Sequence, residues 1–284
     1  MTPTIKAFYH PPSGTLTYLV SDPITRATAI IDPVLDFDLC AGKVTTTAAD
    51  EIIDYVKQQH LNVHWLLETH AHADHLSGAD YLKQQLGGKT AIGQGITFVQ
   101  QTFKAVFNLA DDFCTSGSQF DQLLYDGDCL PLGNLAICVL TTPGHTSDCV
   151  TYVVGNNAFI GDTLFMPEAG TARCDFPGGD AALLFDSIQK IYALGDDTTL
   201  WVCHNYPPQG CDVMFETTVS EQKADNVHLP ATCGKADFTA IRTSRDNSLN
   251  VPKLLYPAVQ VNIRAGVLPE PENNDVAYLK IPLS

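Results

Sequence analysis

His70-Ala71-His72-Ala73-Asp74-His75 sets three imidazoles and one carboxylate within six residues. The segment follows a short apolar run at 63–67, which ends abruptly in Glu68-Thr69. It precedes a helical stretch at 77–86 that stops at Gly87-Gly88. A loop between strand and helix can turn several side chains onto one ion, which a regular strand or helix cannot. His with Asp is moreover a donor set suited to zinc or iron. Three later segments repeat the arrangement. Thr142-Pro143-Gly144-His145 follows an apolar strand at 135–141, Gly161-Asp162-Thr163 follows one at 158–160, and Cys203-His204-Asn205-Tyr206 follows one at 199–202. Strand ends on the same edge of a sandwich can converge on one site. Five of the nine histidines are thereby placed, whereas His10, His60, His64 and His228 read as surface or core residues.

The rest of the chain supplies the scaffold. Residues 8–20 and 27–34 read as strands joined at Asp22-Pro23, and 90–93 and 149–154 as further strands. Helical spacing recurs at 48–59, 181–194 (capped by Asp180) and 220–227. The proline-rich stretch 252–271 reads as a partly extended tail lying over the body. Mixed strands and helices in one chain imply an α/β or α+β sandwich.

Composition excludes several functions. With 32 acidic and 16 basic residues the net charge is −16, which repels nucleic acids and anionic membrane surfaces alike. There is no apolar run of membrane-spanning length. The first residues lack the layout of a signal peptide, so a cytoplasmic location is expected. Nine cysteines, odd in number and never in a C-x-x-C pair, do not read as a secreted disulfide framework. Cys138 and Cys149 lie within apolar runs and read as small buried hydrophobes.

The order H-x-H-x-D-H, G-H, G-D, H resembles the metallo-β-lactamase superfamily over about residues 8–230. That resemblance implies an α+β fold, a four-layer αββα metallo-β-lactamase sandwich with its metal site on one edge. Residues 1–235 would form the catalytic domain and 236–284 a C-terminal extension packed on the same domain. Within the superfamily, the stretch from Glu68 to Ala79 and Gly170-Thr171-Ala172-Arg173-Cys174-Asp175-Phe176 resemble the persulfide dioxygenases of the ethylmalonic-encephalopathy type. Residues 259–262 and 280–282 resemble the bacterial subgroup of that branch, with no fused rhodanese-like domain expected.

For that branch the resemblance implies one Fe(II) per chain, held by His70, His145 and Asp162. Glutathione persulfide and O₂ would be the substrates, sulfite and glutathione the products, and sulfide detoxification the setting. His72, Asp74, His75 and His204 would orient ligands and water from the outer shell. Arg173 would pair with a glutathione carboxylate, its planar fork giving bidentate contacts. Tyr206 would close over the substrate. Cys174, where the mitochondrial enzymes carry Thr, either touches substrate or packs. The alternative is a hydrolase of glutathione thioesters similar to glyoxalase II. It would hold two zinc ions per chain, with Asp162 bridging and His72, Asp74, His75 and His204 serving the second metal. A non-catalytic metal or persulfide carrier is a third reading, and a homodimer is compatible with all three.

Overall fold

The chain enters as two antiparallel hairpins, β1 (Thr4–His10) with β2 (Thr15–Ser21), and β2 with β3 (Ala27–Ile31). The single strand expected over 8–20 is therefore two, broken by a turn in which Gly14 takes a φ of +69°. A small sheet of β4 (Val34–Asp38) and β5 (Lys43–Thr45) leads into α1 (Thr47–Gln58). β6 (Asn62–Leu67) then pairs parallel with β3, and β7 (Leu76–Ser77) pairs antiparallel with β4. After α2 (Ala79–Leu86), β8 (Lys89–Gly93) pairs parallel with β6. Following α3 (Ile96–Val106), β9 (Gln122–Leu124) closes the first six-stranded sheet, in the order β1-β2-β3-β6-β8-β9.

The second half builds another six-stranded sheet. β10 (Cys129–Leu132), β11 (Leu135–Thr141), β12 (Val150–Val154) and β13 (Asn157–Phe159) form an antiparallel meander. α4 (Ala181–Tyr192) crosses over to β14 (Thr199–Trp201), which is parallel to β13 and bordered by β15 (Glu216–Thr218). Then come α5 (Val219–Asp225), α6 (Lys235–Asp246) and α7 (Leu255–Asn262). The computed structural model describes residues 1–207 and 210–283.

Alternation along the strands explains the layering. Tyr18, Val20, Ala29 and Ile31 face the second sheet and meet Val139, Tyr152 and Phe159. Their neighbours Leu19, Ile30 and Leu66 point the other way, onto Ile52, Ile53 and Val56 of α1 and Leu82 of α2. A strand buried on both faces must be almost wholly apolar, as β3 is apart from Thr28, whose hydroxyl is bonded to Ser21 and the Arg26 carbonyl. α4, backed by α6, adds Leu184, Ile188 and Ile191 to the core, completing a four-layer αββα sandwich. Asp180 caps α4 by accepting from the amides of Ala182 and Leu183, as its sequence position predicts.

Two sequence expectations are corrected. Residues 255–262, inside the stretch read as an extended tail, form α7, whose Val259 packs on Phe103 and Phe107 together with Ile263 just past its end. Pro257 is tolerated because it stands in the first helical turn, where its missing N–H has no intrahelical partner to lose. Cys138 is not a lone buried thiol. It stands opposite Cys129 across the β10–β11 ladder and forms a disulfide with it. Cys149 is free and buried, as expected.

Candidate metal centre

The site begins where β6 runs out. Leu67 holds the backbone of Asp32 (Asp32 N–H to Leu67 O, 2.8 Å), and Asp32 adopts a φ of +52°, a conformation Asp tolerates better than most residues. Its buried carboxylate accepts from the Thr69 amide at 2.7 Å, the Thr69 hydroxyl at 2.9 Å and His72 Nε2 at 2.9 Å. The last bond commits the proton of His72 to Nε2 and leaves the Nδ1 lone pair facing Asp74, 4.0 Å from its Oδ1. The buried carboxylate of Asp148 accepts from the Ala71 amide at 2.8 Å. Asn262 of α7 clamps the loop from the far side. Its amide donates to the carbonyls of His72 and His75 at 2.7 and 2.9 Å, and its oxygen accepts from the Ser77 amide.

The other donors arrive from the ends of the second sheet. His145 donates through Nδ1 to the carbonyl of Arg173 at 2.7 Å, which leaves the Nε2 lone pair 3.7 Å from Asp162 Oδ2. His70 Nε2 lies 3.8 Å from the same oxygen. Donor atoms of His70, His145 and Asp162 all lie within 4.8 Å of one another, as do those of His72, Asp74 and His75. His204 Nε2 stands between the two groups, 3.3 Å from Asp162 Oδ1 and 3.4 Å from Asp74 Oδ2.

The donor chemistry fits a divalent cation. Buried atoms His70 Nε2, His72 Nδ1, His75 Nε2, His204 Nε2 and Asp162 Oδ1 make no hydrogen bond among the described residues. Such an accumulation of unsatisfied polar atoms at one point is costly unless an ion completes it. Burial, reinforced by the neighbouring imidazoles, pushes the pKa of His70 and of His72 well below the ordinary range, so both stay neutral as ligands must. Burial also disfavours ionised Asp74, yet His204 and His75 outweigh it and hold that carboxyl well below its usual value.

A cavity of about 280 Å³ opens onto Asp74, His145, Asp162 and His204. Three of the chain's five arginines line it, although the whole molecule is strongly acidic. Arg173 stacks over Phe176, with its fork on Asp175 at 2.6 Å and a further bond to the Asn250 carbonyl. Buried Arg242 is paired with Asp246 and donates to the Thr171 carbonyl. Arg245 is exposed and has no ion pair among the described residues. Tyr206 also lines the cavity, its ring stacked on His204 and its hydroxyl 3.4 Å from His204 Nδ1. Cys174 stands apart from these walls. It is buried in the sandwich core, its amide bonded to Asp246, and burial pushes its thiol up to about 12, so it stays protonated.

Sequence reasoning passed over Asp32, Asp148, Asn262 and Arg245. Asp32 and Asp148 carry no motif-level signal, being single acids next to apolar strands. Asn262 and Arg245 act from helices that the sequence reading left unassigned or extended.

Two sheets backed by helices, with imidazole and carboxylate donors gathered at their shared edge, define a class of protein. Residues 10–204 match the family model of the metallo-beta-lactamase superfamily, and the chain belongs to it. It is 54% identical, over 99% of its own length, to the "Beta-lactamase hydrolase-like protein" of Agrobacterium fabrum, and spans 65% of that relative. It is 31% identical to the human mitochondrial "Persulfide dioxygenase ETHE1", covering 93% of this chain and 89% of that one. The crystal structure of ETHE1 from Myxococcus xanthus superposes with a TM-score of 0.74 at 28% identity, over 93% of this chain and all of the other.

Proposed function

We propose that the protein is a glutathione persulfide dioxygenase working at one Fe(II) per chain, held by His70, His145 and Asp162. The observation that carries this reading is that group: two imidazoles and one carboxylate, within 4.8 Å, beside a cavity lined with arginines. Two His and one carboxylate occupy one face of an octahedron and leave three positions open for two substrates. Bound there, Fe(II) supplies the redox capacity, absent from zinc, to join O₂ to a sulfur atom. The balance is glutathione persulfide plus O₂ plus water, giving glutathione, sulfite and two protons. The chain's own part is positioning. Arg245, with Arg173, supplies the positive charge for the carboxylates of the peptide thiol, and Tyr206 closes the cavity wall beside His204. His72, Asp74, His75 and His204 orient water and ligands, with His204 placed to relay a proton between Asp74 and Asp162. Residues 236–284 serve the same domain by clamping the ligand loop through Asn262.

The test is O₂ uptake and sulfite release by iron-loaded protein given glutathione persulfide. Stoichiometric sulfite is expected, and absence of uptake at full iron occupancy overturns the proposal.

A second reading, a binuclear zinc hydrolase of glutathione thioesters, is favoured by one particular observation. His72, Asp74 and His75 form a further three-donor group, and His75 Nε2 and His204 Nε2 make no hydrogen bond among the described residues. Two zinc ions per chain with thioester turnover would establish it in place of the first.

A further inference from the structure

We infer that a small apolar cavity behind His145 is the resting site of O₂, separate from the cavity that receives the thiol substrate. The inference rests on the dioxygenase reading. In His70-Ala71-His72-Ala73-Asp74-His75 the imidazoles turn to the donor cluster, and the two alanine methyls line this second cavity. The opposite wall is Val99 and Phe103 of α3 and Val259 of α7. Its volume is about 20 Å³, room for one molecule of roughly water's size.

A water there would need two to four polar partners. The polar groups in the lining are already engaged. Thr146 Oγ1 is bonded to Cys149 Sγ at 2.9 Å, and His145 uses Nδ1 on the Arg173 carbonyl while Nε2 faces Asp162. An apolar pocket of this size stays dry and favours a small apolar solute. Ala73, His145 and Phe176 belong to the walls of both cavities, and the Phe176 ring meets that of His145 edge-on at 5.3 Å. The anionic thiol thus approaches over Arg245 and the gas from the α3–α7 side, with His145 between them. A hydrolase has no use for a gas site next to its ligand.

The experiment uses dissolved O₂ as a paramagnetic probe of full-length, zinc-loaded protein, followed at the methyl groups by NMR. Under O₂ pressure the methyls of Ala71, Val99 and Val259 should relax several-fold more than those of Ile30 and Leu66, which are buried under α1. Val99→Phe should abolish the excess, and Val99→Ala should preserve or increase it. In iron-loaded protein Val99→Phe should raise KM for O₂ several-fold, leaving KM for the persulfide unchanged. Uniform relaxation across all buried methyls overturns the gas site, as does an unchanged KM for O₂ once the excess has gone. Failure of the wild-type iron protein to consume O₂ overturns the dioxygenase reading instead, and the paramagnetic result stays interpretable because it needs no turnover.

Discussion

Asp32 touches no substrate, yet four buried donors depend on it: the Thr69 amide, the Thr69 hydroxyl, His72 Nε2 and the Cys203 thiol. Removing a buried acceptor leaves each donor to bear its own desolvation cost, so the loss exceeds the worth of the bonds themselves. Asp32→Ala should therefore cost roughly 3–5 kcal/mol of folding stability. Asp32→Asn preserves the shape but supplies only one acceptor oxygen. It should fold with a smaller loss, because one oxygen can still accept from both the Thr69 amide and His72 Nε2, but the neutral amide should hold the His72 ring, and so Nδ1 toward Asp74, less firmly. Thermal unfolding and bound-metal analysis of the two variants check this together. Metal content as high as wild type in both would show that Asp32 does not orient the site. Arg245 makes the contrasting case, because its side chain makes no hydrogen bond or ion pair among the described residues. Arg245→Gln should raise KM for glutathione persulfide about tenfold, a loss of ~1.4 kcal/mol, without changing kcat or the melting temperature. An unchanged KM would return the recognition role to Arg173.

At the scale of elements, α6 and the turn before it govern the cavity wall. His228 accepts the Thr171 amide at Nδ1 (2.9 Å), and burial, with Arg242 and Arg245 nearby, lowers its pKa to about 4. Its folded value lies below the ordinary 6.5, so in that window the unfolded chain binds a proton that the native state refuses. Stability from this group is fully present above about pH 6.5 and is lost as the pH falls toward 4. His228→Gln retains an acceptor but cannot titrate. Its melting temperature should lie below wild type at neutral pH, and the gap should narrow as the pH falls to about 4. A constant gap would show that His228 is not held neutral by the fold. The sequence was most readable where periodicity and chemistry coincide. The H-x-H-x-D-H loop, the strands that deliver His145, Asp162 and His204, and α4 with its Asp180 cap all stand where their residues predict. It was least readable where tertiary packing overrides local signals. α3 opens on the β-prone run Ile96-Thr97-Phe98-Val99, and only Ile96, Val99, Gln100 and Phe103 on its buried face betray helical spacing. α7 hides behind Pro252 and Pro257, so Asn262 gave no hint that it would clamp the metal loop from 185 residues away. The Cys129–Cys138 pair needed a strand register that spacing does not disclose.

For the molecule as a whole, the charge distribution sets a conflict that ionic strength can expose. A net charge of −16 surrounds a cavity whose three arginines would receive an anionic peptide thiol. At low salt the Debye length is about 30 Å, comparable to the size of the protein, and the approaching anion meets the repulsion of the entire surface. Near physiological salt it shrinks to about 8 Å, which screens the distant acids while leaving a contact with Arg245 largely intact. Most enzymes that steer a charged substrate lose kcat/KM as salt is added, because the long-range field attracts. Here the sign should invert, with kcat/KM for glutathione persulfide rising as ionic strength goes from about 10 to about 150 mM, mainly through KM. The rise should persist in Arg245→Gln, displaced to lower kcat/KM throughout, since that substitution removes the local attraction and not the distant repulsion. A persulfide substrate without net charge should show almost no dependence. If kcat/KM for the glutathione substrate instead fell steeply with salt, the potential at the cavity mouth would be positive at long range. The acidic surface would then have to be arranged away from the path of entry, rather than overcome by three arginines at its end.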